Sequence, residues 1–68
     1  MQQSRVANRL QEAYGQDPYD AEFPWETIDR EGIAKSLARE MDLSVGEVDS
    51  LLEAVHLEAQ SRAGLGQQ

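Results

Sequence analysis

The sequence predicts an all-α protein: a small three-helix domain whose second and third helices are joined by a very short turn. Apolar residues recur at intervals of three and four in three separate segments, the pattern of a helix with one buried face. Between the last two segments stand only Asp42 and Leu43, followed by Ser44 and Glu47, an S-x-x-E pair that marks a helix start. The chain has 68 residues and no cysteine, so packing alone must hold it, without disulfide staples or a thiolate zinc site. A chain of this length buries only about 60% of its unfolded surface, and its core must be small.

The first helix is expected over about residues 3–14, where Val6, Leu10 and Ala13 or Tyr14 recur at helical spacing beside Ala7, and Gly15 supplies the stop. Its apolar stripe is thin, so it must dock on the rest of the chain or on another molecule. Residues 15–27 form a connector of Gly, Pro and acidic residues, in which Pro18 and Pro24 oppose a continuous helix. The connector also carries Tyr19, Phe23 and Trp25, more aromatic surface than a solvated linker needs. Two readings stand: Phe23 and Trp25 fold back to close one side of the core, or part of this surface anchors a partner inside a polar rim.

For the second helix, Asp29 is the expected N-cap, with Ile28 and Ile33 placed as a hydrophobic staple and Glu31 in the first turn, where the helix dipole favours an acid. Gly32 weakens that turn by roughly 1 kcal/mol relative to Ala, or permits a close approach. Ile33, Ala34, Leu37, Ala38 and Met41 form the inward stripe, while Lys35, Arg39 and Glu40 face outward, with both bases in reach of Glu31 or the acidic connector. The third helix starts at the Ser44–Glu47 capping box, with Leu43 and Val48 as a second staple. It runs over residues 45–63 with Val48, Leu51, Leu52, Val55 and Ala59 on one face; Gly64 and Gly66 end it and leave a loose tail at 64–68. One domain, 1–68, is expected throughout.

Thirteen acids against six bases give a formal charge of −7. The charge is concentrated: residues 12–31 hold seven acids and one arginine, whereas residues 1–11 carry two arginines and no acid. Such a balance repels phosphate backbones and anionic membranes and favours a basic protein partner. No apolar run approaches a membrane span, and the start Met-Gln-Gln-Ser-Arg lacks the apolar core of a signal peptide, so a cytoplasmic location is expected.

Residues 33–52 resemble the bihelical core of helix-turn-helix domains. Ala38 holds the small-residue position, Asp42 the turn position usually held by Gly, and Leu43, Val45, Val48 and Leu51 the packing positions. The resemblance implies base-reading positions near Ser44, Gly46, Glu47, Asp49, Ser50 and Glu53, where a DNA reader carries Arg, Lys, Asn or Gln. Half of these are carboxylates, which face phosphates at close range and disfavour nucleic acid. Residues 33–55 also resemble the N-terminal helical hairpin of the histone-like bacterial DNA-bending proteins, but nothing after Ala63 corresponds to their strands and basic arms.

Chemistry is not expected. His56 is the only histidine, flanked by Glu53 and Gln60, and reads as a helix-surface residue. An EF-hand register from Asp20 places Glu22, Glu26 and Glu31 at ligand positions, yet puts Pro24 at the fifth and Trp25 where the turn needs Gly. A helical chain of this size offers little room for a dry pocket that would tune paired carboxylates. No catalytic residue, cofactor or metal is expected.

The favoured function is a small acidic protein–protein interaction module, an adaptor, regulator or inhibitor that docks on a basic partner surface. Its candidate residues are the aromatics Tyr19, Phe23 and Trp25 and the acids Asp20, Glu22, Glu26, Glu47, Asp49 and Glu53. The alternatives are a nucleic-acid mimic, with Asp42, Glu47, Asp49, Glu53 and Glu58 imitating phosphates, and a DNA-binding regulator using Arg5, Arg9, Lys35, Arg39 and Arg62. The far end of helix 3, Val55 through Leu65, offers an apolar edge for a homodimer.

Overall fold

Three amphipathic faces too narrow to stand alone must be pooled, and the architecture follows from how they share one helix. The computed structural model describes residues 2–66, with side chains through residue 64. Helix α1 spans Gln2–Tyr14, α2 Arg30–Met41 and α3 Val45–Gly66. Both α1 and α2 pack on α3 and touch each other little. Helices α2 and α3 form the helix-turn-helix-like pair that the spacing predicts.

Among the described residues the core is wholly apolar. Val6, Ala7 and Leu10 come from α1, Ala34, Leu37 and Ala38 from α2, Val48, Leu52, Val55 and Ala59 from α3, and Phe23 from the connector. The buried positions of α3 follow the expected face, with Leu51 partly buried at its edge. Pro18, expected only to break a helix, is itself fully buried. Val45 is the exception on α3: it is 44% exposed, so it is not a packing residue.

Helix ends show their local causes. At the end of α1, Gly15 adopts φ +70° and donates to the Gln11 carbonyl at 2.7 Å, a left-handed stop open to Gly at no steric cost. The Asp29 carboxylate accepts the Gly32 amide at 3.1 Å and caps α2. A Cβ on Gly32 would collide with that carboxylate, so the close approach that glycine permits is made by the cap itself. Asp42 takes φ 57° and ψ 47°, and both its amide and that of Leu43 donate to the Ala38 carbonyl, closing α2 in a left-handed cap. Ser44 and Glu47 complete the capping box: the Glu47 amide donates to Ser44 Oγ at 3.1 Å, and the Ser44 amide to Glu47 Oε1 at 3.4 Å.

Helix α3 corrects the expected boundary. It continues through Gly64 and Gly66, so residues 64–66 are helical rather than tail. Glycine stops a helix only where it takes a positive φ, and Gly64 does not. Residues 67–68 of the expected tail lie outside the described residues.

Replacing Asp42 with Gly should stabilise the domain by about 0.5–1 kcal/mol by relieving the left-handed strain, read from urea denaturation. Leu52→Ala, at a site with no solvent exposure, should cost about 2–5 kcal/mol. That is much of the roughly 3–10 kcal/mol expected for a domain of this size, so the variant should lose its cooperative helical transition.

Candidate functional site

The connector is a run of turns tied by its own carboxylates. Asp17 accepts the Tyr19 amide at 2.9 Å and Asp20 accepts the Glu22 amide at 3.0 Å, so each acid fixes the backbone two residues on. Backbone bonds from Asp20 to Asp17 and from Phe23 to Asp20 repeat the pattern, and Thr27 closes on Pro24. These turns deliver the aromatics to one side of α3.

There the rings form a ladder. Tyr14 of α1 meets Phe23 edge-on at 5.7 Å, Phe23 leans on Trp25 at 5.0 Å, and Trp25 stacks on His56 of α3 at 4.6 Å with an interplanar angle of 13°. Trp25 Nε1 donates to the Pro18 carbonyl at 3.0 Å, locking the loop across seven residues. Further along α3, the Arg62 guanidinium lies 4.2 Å over the Tyr19 ring. His56 thus carries an aromatic contact, and its ring lies 3.4 Å from Gln60, as the spacing anticipates.

The candidate residues separate by environment. Phe23 is only 5% exposed and closes the core, whereas Tyr19 and Trp25 are half-buried. A groove of about 330 Å³ opens beside Trp25, bounded by Asp20, Pro24 and Glu26 of the connector and by His56, Gln60 and Ala63 of α3. Glu22 and Glu26 are exposed and, among the described residues, have no ion pair or side-chain hydrogen bond. The structure therefore gathers Trp25, Asp20 and Glu26 at one groove, with Glu22 on the adjoining turn.

The α3 acids stand apart from that groove. Glu47 serves its capping box, and Arg30 at the start of α2 holds Glu53 at 2.8 Å and Asp49 at 3.8 Å. Glu58 pairs with Arg62 at 2.7 Å. Lys35 bonds Glu31 at 3.3 Å as expected, while Arg39 makes no ion pair among the described residues. Arg30 is the residue whose part sequence spacing did not show: its partners lie 19 and 23 positions on, reachable only once α2 folds against α3.

The expected dimer edge is largely spent within the chain. Val55 and Ala59 are buried under the fold, and Leu57 at 54% exposure is the large apolar residue left outward on that stretch. The Leu65 side chain lies outside the described residues. No group of three or more His, Asp or Glu side chains among the described residues is placed to hold a metal ion, and none of the described helices is long and apolar enough to cross a membrane.

Trp25→Phe should cost about 1 kcal/mol through loss of the bond to Pro18, measured by circular dichroism during urea denaturation. Amide exchange should rise around His56 and Ala63 while the α2–α3 turn stays protected. The molecule is a small all-α module with the capacity to form an interaction surface, and neither a protein family, a curated protein nor a solved structure matches it.

Proposed function

We propose that the chain is a protein-interaction module, an adaptor, regulator or inhibitor that docks on a basic partner surface through the connector groove. The observation that carries this reading is the pair Glu22 and Glu26, carboxylates without a partner among the described residues, flanking a half-buried Trp25 at a groove. A half-buried tryptophan supplies apolar contact area, and its ring is already held by Pro18, Phe23 and His56, so little freedom is lost on binding. Tyr19 and Asp20 extend the same surface. Phe23 acts from beneath, as support for Trp25 rather than as a contact.

The acids of α3 play a smaller part in this reading. Asp49 and Glu53 share Arg30, which breaks the stripe of free charge that a nucleic-acid mimic would present. The same acids stand on the outer face of α3 where a DNA reader needs bases. A net charge of −7 also speeds encounter with a basic protein at low ionic strength.

A photo-cross-linking residue in place of exposed Ala21, at the groove edge, tests this in native extract. The expected product is a protein with a basic contact surface, captured at least about fivefold less by the combined Asp20→Asn, Glu22→Gln and Glu26→Gln variant. Asparagine in place of Asp20 keeps the side-chain acceptor of the turn, so the fold is retained. Capture that ignores these charges, or that depends on nucleic acid, rejects the reading.

A further inference from the structure

We infer that the connector groove receives a single arginine side chain of the basic partner, an insertion that rests on the interaction-module reading and names its specific contact. The groove of about 330 Å³ has room for about eleven waters at about 30 Å³ each. That suits one long side chain, whereas a helix, about 10 Å across, does not fit. Apolar surface is still open inside it. Pro24, Trp25 and Ala63 all line the groove and all are partly exposed, so they can cover the methylene stem of such a guest.

The polar lining is rich in acceptors and holds no cation. Glu26 is exposed, and its carboxylate has neither an ion pair nor a hydrogen bond among the described residues. Asp20 spends Oδ1 on the Glu22 amide, which leaves Oδ2 for another donor. On the α3 wall, Gln60 Nε2 lies 3.4 Å from His56 Nε2, which leaves the amide oxygen of Gln60 as an acceptor. The indole donor Trp25 Nε1 is committed to the Pro18 carbonyl, and among the described residues no lysine or arginine lines the groove. Two carboxylates without a cation beside an apolar slot select a basic side chain over a neutral or acidic one. Acceptors on both walls select the guanidinium, whose donors fork across a plane, over the point charge of lysine.

Further along α3 the chain already holds a guanidinium by the same means. Arg62 lies 4.2 Å over the Tyr19 ring and bonds Glu58 at 2.7 Å, so a connector aromatic and a carboxylate share it. At the groove the connector presents Trp25 and Glu26 without an arginine of the chain's own. The partner's arginine completes there what Arg62 completes beside it.

The test is titration of the ¹⁵N-labelled full chain with a short blocked glycine–serine peptide that carries one arginine. The indole N–H of Trp25, the only tryptophan, and the Gln60 side-chain amide should shift. Citrulline in place of the arginine, which keeps the shape and removes the charge, should weaken binding about fivefold or more, and lysine about threefold. Glu26→Gln, at an exposed side chain that holds nothing in the fold, should weaken it about fivefold. Ala63→Leu narrows the groove with another good helix former and should do the same, while Glu12→Gln on α1 should change nothing. An unmoved Trp25 indole, equal binding of the citrulline or lysine peptide, or affinity untouched by Glu26→Gln or by Ala63→Leu overturns the inference. Extract capture at Ala21 that still depends on Asp20, Glu22 and Glu26 then leaves the interaction-module reading standing, with a contact made by charge alone; capture that ignores them removes both.

Discussion

The apolar face of α3 is the constraint on which the rest of the structure depends. Val48, Leu52, Val55 and Ala59 recur along it and all are buried. A helix of 22 residues is about 33 Å long, whereas α2, with 12 residues, reaches only about 18 Å. The first residue of α2, Arg30, meets α3 at Asp49 and Glu53, so α2 has nothing left to lay over the face beyond Val55. That remaining length is covered by the connector, which explains why a segment broken by two prolines carries three aromatics. Pro18, Phe23 and Trp25 do there what a fourth helix would do in a larger bundle.

Internal pairing then decides where the net charge is felt. Arg9, Arg30, Lys35 and Arg62 are each engaged by carboxylates on their own or a neighbouring helix. Each exposed pair contributes little to stability. Their effect is distributive: the helices become nearly balanced, while Asp17, Asp20, Glu22 and Glu26 stay without a cation among the described residues. Two of these, Asp17 and Asp20, are occupied in turns. Glu22 and Glu26, like Asp42 at the α2–α3 turn, are exposed and carry neither an ion pair nor a side-chain hydrogen bond among the described residues.

Local signals were legible in the sequence and long-range ones were not. The Ser44–Glu47 box, the Asp29 cap, the Gly15 stop and the turn at Asp42 each depend on residues within a few positions, and each stands where the pattern places it. Gly64 misled because a glycine is a strong stop where the chain takes a positive φ, which composition does not report. Val45 misled because apolar character alone does not say which face of a helix start a residue occupies, and this one points outward. The indole bond to Pro18, the Trp25–His56 stack and the Arg30 pairs all join residues brought together by the tertiary fold. For the same reason the sequence could name Tyr19, Phe23 and Trp25 together but could not sort a core plug from a half-exposed edge.

A connector that closes the core and borders the candidate groove links folding to binding. The far half of α3 meets the connector through the Trp25–His56 stack and through Arg62 over Tyr19, contacts that also shape the groove wall. Opening that segment would uncover Val55 and Ala59 and dismantle the groove at once. A partner that binds only the closed connector therefore stabilises the end of α3 by its own binding free energy, scaled by its concentration over its Kd. By the same linkage, any substitution that loosens the ladder lowers partner affinity in proportion to the closed population it removes, even where it touches no partner atom. Trp25 sits at the centre of both equilibria. The clean separation of contact from support lies in the charges around it, because Glu26 at the groove and Glu22 on the adjoining turn face solvent without holding the fold.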